Sequence, residues 1–283
     1  MLVTLQEIIG MAEKGTFCVP AFNVYNIETV MGVIEAAKEE KAPVIMQVYP
    51  RLVNEQVGYY IAPAVLAAAK KASVPVCLHL DHGPSEKEAL KMLRWGATGI
   101  MVDGSVHEYA DNVALTRRVV DICGTVGVGV EGELGHIGSV NDDAMCAFTD
   151  PDQAADFVKK TGVTCLAVLI GNAHGHYKKP PKLDIDRVRA IRKATGGIPL
   201  VLHGGSGIPD EMVREAITLG VSKVNVNTEC QIAFTEATRK FIEEGKDREG
   251  RGFTPRALLA PGLEATKAKC IEKMELFGSV GRA

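Results

Sequence analysis

Three of the seven histidines share one local pattern, His82-Gly83, His174-Gly175 and His203-Gly204. Each follows a short apolar run, and the glycine lets the backbone turn sharply beside the ring. A single histidine in this setting is ordinarily a hydrogen-bonding loop residue. Three imidazoles brought to one place instead make a metal site with three ligands and an open position, the arrangement of catalytic zinc. His79, His107, His136 and His176 lack the pattern and read as structural. Acids and amides accompany the three: Asp81, Asp103, Glu131, Glu133, Asn23, Asn225 and Asn227 all stand at or near the ends of apolar runs.

A second pattern suits an anion. Leu202-His-Gly-Gly-Ser-Gly-Ile-Pro209 puts Gly204, Gly205 and Ser206 in a glycine-rich loop ahead of a helix expected near Pro209, and Asn225-Val226-Asn227-Thr228 precedes the next helix. Backbone amides and helix N-termini there point at one negative group. Lys178, four residues after His174, is placed to add a cation.

These residues need a frame that gathers them. Apolar, β-branched runs recur at residues 17 to 23, 44 to 48, 76 to 80, 99 to 102, 128 to 133, 165 to 170, 199 to 203 and 224 to 227, each followed by a helical pattern. That is the spacing of successive βα units. Near-continuous apolar strands suit a parallel sheet covered on both faces, and eight units favour an α/β (β/α)8 TIM barrel over a doubly wound open sheet. Chemistry then sits where strands end, and phosphate is bound by the loops after strands 7 and 8. Thr4 with Glu7 and Ser85 with Glu88 fit capping boxes, and Asp150-Pro151 starts another helix. We expect a single barrel domain over residues 1 to 283, with a C-terminal helical extension from about residue 255.

Composition narrows the partners. A formal charge of −3 gives no basic surplus for nucleic acid or anionic membrane, so the expected partner is a small molecule. No apolar run approaches the length of a membrane span, and Glu7 and Glu13 interrupt the N-terminus where a leader would be apolar; the chain reads as cytoplasmic. Seven cysteines with no Cys-x-x-Cys pair read as reduced, structural thiols.

Taken together, the motifs resemble those of the zinc-dependent class II ketose-phosphate aldolases, which include fructose- and tagatose-bisphosphate aldolases. The landmarks are Pro20-Ala-Phe-Asn23, Leu78-His-Leu-Asp-His-Gly83, Met101-Val-Asp-Gly-Ser105, Glu131-Gly-Glu-Leu-Gly135, Ala173-His-Gly175, Leu202-His-Gly-Gly-Ser-Gly207 and Asn225-Val-Asn-Thr228, spread over nearly the whole chain. The resemblance implies that Asp81 is the catalytic acid/base, that His82, His174 and His203 hold Zn2+, and that Asp103 and Glu133 form an alternative metal position. It implies that Gly175, Lys178, Gly204, Ser206, Asn225, Asn227 and Thr228 hold the phosphate and hydroxyls of dihydroxyacetone phosphate, with Asn23 facing the substrate. It also implies reversible cleavage of a ketose 1-phosphate or 1,6-bisphosphate through a zinc-stabilised enediolate, in a homodimer or homotetramer.

Three positions depart from the family pattern. Asn141 stands where relatives usually carry a loop glutamate that moves the C3 proton, so another group must do so; Asp142 is the candidate, with Asp143 and His136 as alternatives, in a lid spanning residues 134 to 147. Tyr49 stands where relatives tend to have a serine for the second phosphate. Arg51 or Arg256 is expected to receive an anionic or polar tail of the aldehyde.

Competing functions fare worse. A Schiff-base aldolase needs a lysine inside the barrel, and Lys223, expected at the start of strand 8, lies at the wrong end. A metal-dependent hydrolase would want a His-x-His pair where strand 1 reads Ala-Phe-Asn23. A non-catalytic sensor binding metal and sugar phosphate is suggested by the absent loop glutamate, but binding alone does not need Asp81.

Overall fold

The eight apolar runs form β1 (Val19–Asn23), β2 (Val44–Val48), β3 (Val76–Gly83), β4 (Gly99–Val102), β5 (Gly129–Leu134), β6 (Cys165–Val168), β7 (Leu200–Leu202) and β8 (Val221–Val226). They close in sequence order, β1 through β8 and back to β1, and each neighbouring pair is parallel. Parallel neighbours require a crossover, and a helix follows each strand to supply it. The computed structural model describes residues 1–141, 147–175 and 177–283. Asp142, Asp143 and His176 lie outside the described residues.

Two apolar layers hold the barrel. Outward strand residues such as Phe22, Met46, Leu78, Ile100, Leu166 and Val224 pack under the surrounding helices. Inward residues Val19, Ala21, Ile45, Cys77, Met101, Cys165, Ala167 and Val201 fill the lower interior, and Leu5, Ile8, Ile9 and Ala12 of the helix Leu5–Gly15 close it from below. Each fully buried Leu or Ile contributes about 1.5–3 kcal/mol. The Thr4/Glu7 capping box that starts this plug is formed in both directions. At Ser85 only half of the expected box forms, because Glu88 bonds the Ser85 hydroxyl and Asn54 in place of the backbone N–H. Asp150 caps the helix Pro151–Thr161 as expected.

Above the apolar plug the interior turns polar. Gln47, His79, Glu131 and Lys223 are all fully buried, each on the inward face of its strand. Lys223 therefore corrects the sequence reading. β8 begins at Val221, three residues before the expected start at 224, so Lys223 lies within the strand and shares the inward face with Asn225. A buried lysine breaks the apolar run by which a strand start is recognised.

The helix Pro255–Leu276 packs against the helices Ile27–Glu39 and Thr228–Glu243 and reaches β1. Among the described residues no helix is long and apolar enough to cross a membrane. Six cysteines, Cys18, Cys77, Cys123, Cys165, Cys230 and Cys270, are free and buried.

Candidate active site

Successive residues of a strand normally face opposite sides, yet Asp81 and His82 both line the mouth. The register of β3 against β4 shifts between Leu80 and Gly83, and His82 takes the left-handed conformation with φ 46°. This bulge re-aims the ring into the barrel. Gly83 is required beside it, because a Cβ there would meet the Met101 carbonyl oxygen at 2.6 Å. Glu131 and Glu133, two apart on β5, need no such device to point the same way.

The three histidines converge. Their ring centroids are separated by 4.6 Å (His82–His203), 4.8 Å (His82–His174) and 5.6 Å (His174–His203). His82 Nε2 faces His203 Nδ1 at 2.9 Å. The outer nitrogens are held by carboxylates: His82 Nδ1 lies 2.9 Å from Asp103 Oδ2, and His203 Nε2 lies 2.8 Å from Glu131 Oε1. Such carboxylate partners fix ring orientation around a metal. His174 is set by its backbone, which exchanges hydrogen bonds with the loop after β5: Val140 N–H donates to the His174 carbonyl and His174 N–H donates to that of Gly138, both at 2.9 Å. Tyr177 ties this strand end to the next, its hydroxyl accepting from Ala173 N–H at 2.7 Å and lying 3.2 Å from the Gly204 carbonyl.

These residues fit a divalent cation. Among the described residues two sets bring ligand atoms within 4.8 Å of one another, His82 with His174 and His203, and His82 with Asp103 and Glu133. His174 Nε2 and Glu133 Oε2 are buried without a hydrogen-bond partner, which is costly unless something binds them. Electrostatics agree. Burial, then the neighbouring His82, pushes His174 down to about 4, and burial holds His203 well below the usual imidazole range, so both are neutral donors at pH 7. Burial also works against a charged His82, but Asp81, Asp103 and Glu133 outweigh it and raise its pKa to about 10. Burial and the nearby Asp103 push Glu133 up to about 8. A cluster that traps a proton among carboxylates is one in which a metal ion finds compensation for its charge.

Asp81 is set for proton transfer. It is 4 % exposed, and its two oxygens accept from Asn23 Nδ2 at 2.7 Å and Asn225 Nδ2 at 3.1 Å. Burial opposes its ionisation, but His82, His203 and Lys223 hold its carboxyl below the usual range. It is therefore an ionised base at neutral pH.

A cavity of about 550 Å³ opens over these groups. One wall carries Gly175, Gly204, Ser206, Asn225, Asn227 and Thr228, the last opening the helix Thr228–Glu243. Gly204 has φ 62°, and a Cβ on it would fall 2.0 Å from the Ala173 carbonyl oxygen. The opposite wall carries Tyr49, Pro84, Val106, His136 and Ile137.

Some sequence candidates are not brought here. Lys178 is exposed and does not line the cavity. Arg51 turns outward, its side chain 80 % exposed and 3.0 Å from Glu55. Arg256 is exposed in the first turn of the C-terminal helix. Gly205 and Val226 do not line the cavity; Gly205 N–H donates to the Asn225 carbonyl at 3.0 Å. Asp142 is outside the described residues.

Other contributors escaped the sequence reading. Ser105 Oγ donates to Glu133 Oε1 at 2.9 Å and lies 3.1 Å from His136 Nδ1, joining His136 to the acidic side. Tyr25 donates to Asn227 Oδ1 at 3.0 Å. Ser105 ends the Met101-Val-Asp-Gly-Ser105 run and Tyr177 lies two residues past Gly175, so nearness to those motifs was their only signal.

Relatives share this architecture. The family described as "Fructose-bisphosphate aldolase class-II" matches residues 3–282. The chain is 40% identical to a fructose-bisphosphate aldolase of Geobacillus stearothermophilus, covering 100% of this chain and 99% of that protein. It is 36% identical to a 6-phospho-5-dehydro-2-deoxy-D-gluconate aldolase of Bacillus velezensis, covering 99% and 97%. The crystal structure of the YdjI aldolase from Escherichia coli K12 superposes with a TM-score of 0.87 at 36% identity over 100% of both chains. The histidine cluster, the buried base and the barrel mouth thus sit in a chain that belongs to the class II fructose-bisphosphate aldolase family, whose members are carbon–carbon lyases.

Proposed function

We propose that the chain cleaves a ketose 1-phosphate or ketose 1,6-bisphosphate reversibly to dihydroxyacetone phosphate and an aldehyde. The observation that carries this reading is Asp81, ionised and oriented by two amides, beside three convergent histidines. A zinc ion held by His82, His174 and His203, with Asp103 and Glu133 as an alternative position, supplies Lewis-acid stabilisation of the negative charge left on the ketose oxygens. The phosphate wall binds the 1-phosphate through the backbone around Gly175, Gly204 and Ser206 and the helix start at Thr228. Asp81 accepts the C4 hydroxyl proton as the C3–C4 bond breaks. Asp142 is the candidate for returning a proton to C3.

The aldehyde wall favours a nonphosphorylated aldehyde over glyceraldehyde 3-phosphate. Among the described residues lining the cavity none is Lys or Arg, and a second phosphate is ordinarily met by such a cation. The relative named for a 6-phosphogluconate derivative acts on a sugar with a carboxylate at the end opposite its phosphate, so a polar or carboxylate-bearing aldehyde is within the reading. Assembly as a homodimer or homotetramer completes it; Ile27, Met31 and Ile232 are exposed apolar residues on adjacent helices.

The test is release of dihydroxyacetone phosphate from a panel of ketose mono- and bisphosphates. Chelation should abolish it and zinc restore it, and Asp81→Ala should lower turnover by about 10²–10⁴ with zinc content unchanged. Full activity after exhaustive chelation, or borohydride trapping of substrate on a lysine, overturns the reading. Dihydroxyacetone phosphate binding without cleavage of any ketose phosphate would mark the protein as a sensor.

A further inference from the structure

Lys223 occupies a place where a lysine is costly. It is fully buried, and Nζ lies 2.6 Å from Asn225 Oδ1 and 2.9 Å from Glu131 Oε2. Glu131 is also fully buried, and its other oxygen meets His203 Nε2 at 2.8 Å. A buried ion pair contributes little net stability, since desolvation offsets the attraction. Its retention beneath a reactive site asks for another reason.

Donor and acceptor chemistry supplies one. An ammonium only donates, so the Asn225 atom facing it is the carbonyl oxygen. The NH2 of the same amide is thereby directed at Asp81 Oδ1, 3.1 Å away, and an ionised carboxylate only accepts. Lys223, Asn225 and Asp81 form a relay in which every direction is fixed from below. Without the ammonium, Asp81 alone would orient the Asn225 amide, whose carbonyl end would lose the partner that holds it in place. Lys223 is absent from the cavity lining, and both its contacts face acceptors within the barrel. This position suits orientation and does not suit attack on a carbonyl.

We propose that Lys223 is a positioning residue for the cleavage step, holding the Asn225 amide so that Asp81 is presented to the substrate hydroxyl as an oriented base. The proposal rests on the aldolase reading of Asp81. It predicts a selective defect. Bond cleavage needs Asp81, whereas exchange of the C3 proton of dihydroxyacetone phosphate with solvent does not, so disturbing Lys223 should impair the first and spare the second.

Lys223→Met alone leaves Glu131 as an unpaired buried charge and destabilises the barrel. The variant is therefore combined with Glu131→Gln, whose amide oxygen still accepts from His203 and whose NH2 then faces no ammonium, and the pair is compared with the parent in the zinc-loaded enzyme. We expect cleavage turnover to fall about 10- to 10²-fold, the scale of losing one oriented donor, while C3 exchange and calorimetric affinity for dihydroxyacetone phosphate change by less than about threefold. Asn225→Ala should reproduce the cleavage defect, and adding the Lys223→Met/Glu131→Gln pair to it should cost at least about fivefold less than adding the pair to the parent, the non-additivity expected of residues acting through one contact. If the pair does not fold, Asn225→Asp serves, because Lys223 keeps a partner while Asp81 loses its donor; since Asn225 also lines the cavity, the reading there is cleavage relative to C3 exchange, expected to fall at least about tenfold. Equal losses of exchange and cleavage, or additive losses in the Asn225→Ala background, overturn the proposal. A parent enzyme that releases no dihydroxyacetone phosphate from any ketose phosphate overturns the underlying reading instead.

Discussion

The two sides of the barrel mouth are built from different materials. Toward β6, β7 and β8 the cavity wall is largely backbone: Gly175, Gly204, Ser206 and Thr228 present turns and a helix start. Toward β3, β4 and β5 it is side chains, and the carboxylates collect there, Asp81, Asp103 and Glu133 around His82. A backbone wall recognises a group common to many substrates, because its geometry is set by the fold. A side-chain wall carries charge that responds to pH and metal, and the exposed Tyr49 and Val106 on its rim can be replaced without disturbing the barrel.

The largest expected effect separates the charged side from the other. His82 is raised to about 10 and Glu133 to about 8 before metal binds, so at pH 7 both carry a proton that a ligand must give up. The raised His82 pKa favours the fold most below its unfolded value near 6.5, and that contribution is lost as pH rises toward 10. The raised Glu133 pKa likewise favours the metal-free fold most below its ordinary value near 4.5, and that contribution is lost as pH rises toward 8. Metal binding reverses both preferences. Between pH 6 and 8, zinc affinity should rise about tenfold per pH unit if only His82 releases its proton, and about 10²-fold if Glu133 does too. Calorimetry in buffers of different ionisation enthalpy counts the protons. Affinity independent of pH would show that the carboxylates do not hold the proton described.

The backbone side should break mechanically. Gly204→Ala places a methyl group against the Ala173 carbonyl in a left-handed conformation, which costs about 1–2 kcal/mol for the backbone alone and forces apart the strand ends that Tyr177 joins. Weakened affinity for dihydroxyacetone phosphate, on the order of tenfold, is expected with little change in the pH dependence of metal binding. Unchanged affinity would remove Gly204 from the proposed phosphate site.

The same contrast explains what could be read in advance. The barrel was legible because eight apolar runs alternate with helical patterns, and the histidine cluster because each ring follows such a run and precedes glycine. Lys223 was not, since its charge interrupts the pattern that marks a strand and its partner Glu131 is 92 positions away in sequence. Arg51 and Arg256 show another limit: long side chains near a strand end or helix start take directions that spacing does not specify, and Arg51 turns to Glu55. Ser105 and His136 meet only because β4 and β5 are neighbours. Short-range chemistry is visible in sequence; a relay across the barrel needs the fold.

The smallest effect should come from the rim. Tyr49 is 43 % exposed, lines the cavity, and stands edge-on to His82 with ring centroids 6.2 Å apart. Its helix-capping position before Pro50 uses no side-chain hydrogen bond. Tyr49→Ser would put a small hydroxyl in its place and open space beside His82. If the aldehyde wall sets specificity, the ratio of kcat/KM for a bisphosphate over a monophosphate should rise about three- to tenfold, equivalent to roughly 0.7–1.4 kcal/mol. Thermal stability and zinc content should stay near parent values. The gain is bounded because among the described lining residues there is still no Lys or Arg to meet the second phosphate. Steady-state kinetics on paired ketose substrates measure the ratio directly. A rise well beyond tenfold would mean that a cation does reach this wall when substrate binds, with Arg256 and Arg51 the first to be substituted in the Tyr49→Ser background. No change in the ratio would assign specificity to another part of the mouth and leave Tyr49 as a spectator.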